Sequence, residues 1–183
     1  MNNSNTKVNP QLSLSWYIKV ITDFTSHSKD IKNNNIGRIE TFPKIGKLYS
    51  FWYDPKLKEK LPYYDSFPLT FMIGKYPDGY LGINLHYLPP DLRSGLFNQL
   101  LKITNTPTMN EKSRLVVSYD ILNSAARFKA FEPCIKRYLH NHIQSPFLEI
   151  SPVYWEKVIG LPLQRFDKKS TASVWKDSRS KIR

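Results

Sequence analysis

The sequence predicts an α+β fold: a small antiparallel curled sheet or SH3-like barrel, with a helical insertion and a preceding amphipathic helix. Three observations predict it. Apolar residues recur at four-residue spacing over 12–24, the period drops to two over 46–88, and helical spacing returns after Pro89-Pro90.

The first helix is read from Leu12, Trp16, Val20 and Phe24, with Tyr17 and Ile21 widening the apolar face. Asn9-Pro10 suits its entrance, because the fixed φ and missing N–H of proline are tolerated in a first turn. It is expected to pack on its own domain or to anchor in a groove of a partner. Asn33-Asn34-Asn35 and Gly37 then read as a linker.

From Gly46, Leu48, Ser50 and Trp52 alternate with Tyr49, Phe51 and Tyr53 on a strand that Asp54-Pro55 stops. Lys56 to Lys60 is a charged loop. A second strand spans Pro68 to Lys75 and a third Tyr80 to Leu88. Between them Pro77-Asp78-Gly79 predicts a tight turn, with proline at its first corner and a positive φ at the glycine.

Leu92, Leu96, Leu100 and Ile103 predict a helix that ends at Asn105-Thr106-Pro107. A second helix is expected over about 111–128 with a break near Ser118. Glu132-Pro133 is expected to open a third, burying Ile135, Leu139 and Ile143. Phe147 to Ile150 reads as a returning strand, and Ser151-Pro152 as the cap of a last short helix with Tyr154, Trp155 and Val158. The division that follows is 1–45 for helix and linker, 46–164 for a barrel domain with its insertion over about 90–145, and 165–183 for a basic tail.

Of 183 residues, 40% are hydrophobic and 14% aromatic, enough apolar surface to offset the entropy of ordering one domain. No apolar run approaches the roughly 18 residues of a membrane span, and Met1 to Thr6 lack the pattern of a secretion signal. Membrane partners are not expected. Cys134 is the sole cysteine, which excludes an internal disulfide and fits a reducing cytosol.

Chemistry is sparse. His140 and His142 stand two apart, roughly 200° around a helix, so they would not share a metal. His86 falls in a strand, where a core imidazole is the ordinary reading, and His27 in a loop. Asp54, Asp65 and Asp78 adjoin prolines or turns, where aspartate serves local backbone bonding. Gly74, Gly79 and Gly82 precede no helix and form no phosphate loop. No catalytic residue, metal or cofactor is expected.

Charge is more informative, because 27 Lys and Arg against 15 Asp and Glu leave +12 and favour polyanionic partners. Arg127, Lys129, Lys136 and Arg137 interleave with Phe128, Phe131 and Tyr138, a pattern that holds phosphates and stacks bases, or that simply faces core and solvent in turn. The C-terminal stretch carries Arg165, Lys168, Lys169, Lys176, Arg179, Lys181 and Arg183 against two carboxylates, a net +5. With Trp175 as its apolar anchor it reads as a basic arm for phosphates or an acidic protein surface.

Residues 46–90, from Gly-Lys-Leu-Tyr through Tyr-Asp-Pro-Lys, Leu-Pro-Tyr-Tyr-Asp and Asp-Gly-Tyr-Leu-Gly-Ile-Asn-Leu-His-Tyr-Leu-Pro-Pro, resemble small proteins of contractile-tailed, T-even-like phages of marine bacteria. Phe131 to Leu139 and Val174 to Arg179 continue the similarity, which leaves the first 45 residues outside it. The resemblance is to DNA end protector proteins. It implies a non-enzymatic virion protein that binds and protects double-stranded DNA ends at the head–tail region, present in the host cytoplasm during assembly. The alternative is a structural subunit of neck, tail or baseplate that grips neighbouring virion proteins through its terminal extensions.

Overall fold

The computed structural model describes residues 37–104, 110–127 and 129–182. The expected N-terminal helix, with Leu12, Trp16, Val20 and Phe24, lies outside them. Among the described residues the strands are β1 (Gly37–Glu40), β2 (Leu48–Ser50), β3 (Tyr64–Asp65), β4 (Leu69–Tyr76), β5 (Gly79–Asn84), β6 (Ile135–Leu139), β7 (Phe147–Ile150) and β8 (Phe166–Asp167). The helices are α1 (Pro90–Thr104), α2 (Glu111–Arg127), α3 (Trp155–Ile159) and α4 (Thr171–Ile182).

The fold is α+β. Six strands form one sheet in the order β1-β7-β2-β4-β5-β6, every pairing antiparallel, and β3 pairs with β8 apart from it. The sheet has edges at β1 and β6, so it is not a closed barrel. Past β6 the chain doubles back to the end of β2, where Gln144 N–H donates to Trp52 O at 2.8 Å and Tyr53 bridges Ile143.

Alternation over 48–53 sorts two cores, as the strand period requires. Tyr49, Phe51 and Tyr53 join Met72, Tyr80, Tyr138 and Phe147 on one face, with rings edge to face: Phe51 lies 5.1 Å and Tyr53 5.0 Å from Tyr138. Leu48 faces the other side with Leu69, Phe71 and Ile83. All four helices cover that side, through Phe97, Leu122, Trp155, Val158 and Val174.

The β4–β5 hairpin forms with Pro77-Asp78 as its two-residue turn, but Gly79 has no positive φ. It is needed for another reason. A Cβ there would stand 2.1 Å from the carbonyl oxygen of Tyr138 on the neighbouring strand β6.

Residues 135–139 are a strand, not the expected helix. A spacing of four fits a period of two as well as 3.6, and β5 supplies an unpaired edge that fixes the choice. α2 runs unbroken through Ser118. Of the α1 face, Leu92 packs against the core as expected, while Leu96, Leu100 and Ile103 lie outside the described side chains.

Candidate nucleic-acid interface

The stretch expected to be a basic arm is a strand and a helix lying on the protein's own body. β8 pairs with β3, setting Tyr64 against Asp167 and Asp65 against Phe166. Helix α4 follows and buries Val174 and Ser178 completely or nearly so. Trp175 is half-buried, and its Nε1 donates to His86 O at 2.8 Å. Val174, Trp175 and Ser178 share the docked face of α4 while Ala172 is exposed, and that periodicity outweighs the polar composition.

A buried polar cluster holds the helix in place. Asp65 accepts from Asn84 Nδ2 at 3.0 Å, from the backbone N–H of Phe67 and Arg165, and lies 2.6 Å from His86 Nδ1. The bond to Phe67 is the local one expected of a turn aspartate; the other three join distant chain. Arg93 donates to the carbonyls of Leu88, His86 and Ile159, and its guanidinium lies 5.2 Å from the Trp175 ring. Burial pushes its pKa down to about 10. None of Asn84, His86 or Arg93 stands out in sequence as part of such a set, because their meeting depends on tertiary contact.

The fold brings together basic groups that lie far apart in sequence. α4 packs against the 3-10 turn Lys129–Cys134 and against the turn Leu85–Tyr87. Lys136, two residues further on in β6, is half-buried with its Nζ 4.1 Å from the centre of the Tyr87 ring. Burial pushes its pKa down to about 8, and the charge of Lys181 on α4 adds to the shift against the pull of Cys134 and Asp65. Lys176, Arg179 and Lys181 are exposed, and Arg179 reaches Asp91 at 3.3 Å.

Other expected cations have local partners. Lys168 has φ 70° and donates to the carbonyls of Lys58, Glu59 and Leu61, closing the 3-10 turn Lys58–Lys60. Lys169 pairs with Asp177 at 2.7 Å and stands 5.0 Å from the Tyr63 ring. Arg165 lies over Trp52 at 5.4 Å. Arg137 stands at the hairpin end, paired with Asp78 and 4.5 Å from the Tyr76 ring. The side chains of Arg127 and Lys129 and the whole of Arg183 are outside the description. Tyr138 is 2% exposed and belongs to the core, so it is closed to a stacking base.

The other face of the sheet carries an open cleft of about 360 Å³ lined by Phe42, Tyr80, His140, Ile143 and Phe147, with no lysine or arginine in its wall. Lys176, Arg179 and Lys181 are carried instead by α4, on the opposite side of the sheet. A family model described as phage T4 terminal DNA protecting protein matches residues 2–178.

The chain belongs to this family. No curated protein and no solved structure matches it. Membership in the terminal DNA protecting proteins extends to residue 2, so the first 45 residues are part of the likeness and not outside it. In this member of the family, no group of three or more His, Cys, Asp or Glu able to hold a metal is present among the described residues. His140 stacks edge-on against Tyr80 at 4.8 Å and His142 Nδ1 lies 2.8 Å from Asp54 O, so both serve the fold locally. Burial pushes the Cys134 thiol up to about 12.

Proposed function

We propose that this protein shields the ends of double-stranded phage DNA by binding them, without catalysis, as a virion component at the head–tail region. Family membership over residues 2–178 carries the reading. The charge of +12 and the meeting of α4 with Lys136 support it, because phosphate contacts gain free energy by releasing condensed counterions. Occupying a terminus is sufficient for protection, since an exonuclease must engage the same free end.

On this reading the surface around Lys136, Lys176, Arg179 and Lys181 lies against the phosphates, and Arg127, Lys129 and Arg183 add to the basic character in sequence alone. Arg137, Arg165, Lys168 and Lys169 add field more than contacts, because each already has a partner. Other virion proteins are the further partners. Assembly in the host cytoplasm precedes the mature particle. The rival reading, a neck, tail or baseplate subunit that grips its neighbours with extended termini, loses its C-terminal grip because α4 lies on its own chain.

The test compares affinity for a short linear duplex with that for the same duplex closed by hairpins at both ends, across salt. Tighter binding to the open duplex, with affinity falling about a thousandfold between about 50 and 200 mM salt if six phosphates are engaged, is expected. Equal affinity for open and closed duplex would remove end recognition from the account.

A further inference from the structure

The sheet ends at β1, and among the described residues no strand lies beyond it. A Cβ on Gly37 would run into the carbonyl oxygen of Glu149, so this residue of β7 directs its backbone bonds towards β1. In an antiparallel ladder a residue turns its N–H and C=O to one side, and its neighbours turn theirs to the other. Glu149 stands opposite Arg38 and Phe147 opposite Glu40, so Arg38 and Glu40 bond to β7 while Ile39 turns its N–H and C=O outwards. The side chain of Ile39 is 52% exposed, and that of Phe42, just past the strand, 70%. A bare strand edge beside exposed apolar side chains is a template for another strand.

We propose that the β1 edge is an interface between two copies of this chain, joined antiparallel about a two-fold axis at Ile39. The charges of β1 select this partner and this register. Arg38 is exposed, and Glu40 accepts from Lys44 Nζ at 3.1 Å and Tyr49 OH at 3.0 Å, with carboxylate lone pairs to spare. A two-fold axis at Ile39 sets Arg38 of each copy opposite Glu40 of the other. An axis at Arg38 or at Glu40 would set like charges together. The two Ile39 residues exchange both backbone bonds, so the charge pairs fall at the non-hydrogen-bonded positions, where facing side chains come closest. Glu149 shares the face of Arg38 and Glu40, and its Oε2 is buried without a partner, which further favours a second guanidinium there. β1 and β6 are opposite ends of the sheet, so the pairing leaves the β6 edge open. This interface is independent of the DNA-end reading. A strip over 37–42 is shorter than the roughly 20–30 residues a side of a standard interface, which makes the dimer a weak one, with a Kd on the order of 10–100 μM.

The test is sedimentation of the full-length protein without DNA from about 1 to 500 μM, with amide hydrogen exchange across the same range. A monomer–dimer equilibrium is expected. The Ile39 amide should exchange more slowly as concentration rises, while the amides of Arg38 and Glu40, already bonded to β7, keep their rates. Arg38→Glu changes an exposed position and is expected to weaken the dimer about tenfold, because it sets two like-charge pairs across the axis. Glu40→Lys is expected to do the same. An equimolar mixture of the two variants is expected to regain the parent's affinity, since each copy then meets the opposite charge at both positions. Glu40→Lys also loses the bond from Tyr49; if it does not fold, Arg38→Glu alone decides. A monomer at every concentration overturns the interface, as when the chain before Gly37 or another protein is what covers the edge. A dimer whose affinity and Ile39 exchange are unchanged in Arg38→Glu overturns it too.

Discussion

At Lys136 burial and charge pull in opposite directions. Its pKa is pushed from the ordinary 10.5 to about 8 by burial over Tyr87 and by Lys181, so the unfolded chain holds that proton more tightly than the folded one. Stability therefore rises as pH increases from about 8 to about 10.5, and below pH 8 the folded state bears the full cost of the charge. Lys136→Met is expected to be more stable than the parent at pH 7 by about 1–2 kcal/mol, once solvent screening of a half-buried group is allowed for, and to lose that advantage towards pH 10.5. Urea midpoints at both pH values check it; a less stable variant at pH 7 would mean that the Tyr87 contact outweighs the desolvation. Asp65 makes the reverse case. Its carboxylate satisfies Asn84, His86 and two backbone N–H groups in the core, so Asp65→Ala strands several donors at once and is expected to cost about 3–5 kcal/mol by the same measurement. The bond to Phe67 was legible from its place in a turn, whereas the bonds to Asn84, His86 and Arg165 join residues up to a hundred apart and left no local pattern.

Among elements, the β4–β5 hairpin and the returning strand β7 were legible because alternation and turn chemistry agreed there. β6 was not, since Ile135, Leu139 and Ile143 satisfy a helical and a strand period together; only the exposed edge of β5 decides between them. Gly79 shows how closely that pairing is fitted. Gly79→Ala sets a methyl against the Tyr138 carbonyl at 2.1 Å, and separation of β5 from β6 is expected to cost about 1–3 kcal/mol. Helix α4 was hidden by its composition, for serines and cations outnumber the residues that dock it. Two kinds of variant separate its roles. Trp175→Ala removes a ring that packs on Arg93 and donates to His86 O, and is expected to lower stability by about 2–4 kcal/mol. The combined Lys176→Gln, Arg179→Gln and Lys181→Gln changes exposed positions only, so the urea midpoint should hold within about 0.5 kcal/mol while DNA affinity falls. Retained affinity in the triple variant would take the interface away from α4.

Across the described residues, one sheet separates an aromatic core with a cleft free of lysine and arginine from a helical side on which α4 packs against Lys129–Cys134. The α+β class, the absence of a long apolar helix among the described residues and the basic character were readable from composition and period. The layout of the basic surface was not, because it depends on α4 returning to the body beside Lys136. On the proposed reading the protein is a cap, and a cap must slow attack on a terminus. The direct measurement is the digestion of a linear duplex by a processive exonuclease, at low and moderate salt, with the parent protein and with the Lys176→Gln, Arg179→Gln, Lys181→Gln variant; an endonuclease acting on a closed circle serves as the control. The parent is expected to prolong the linear duplex at least about tenfold at low salt, the variant and higher salt to abolish most of that, and the circle to be cut at an unchanged rate. Equal protection of the circle, or protection that survives both the variant and the salt, would contradict it.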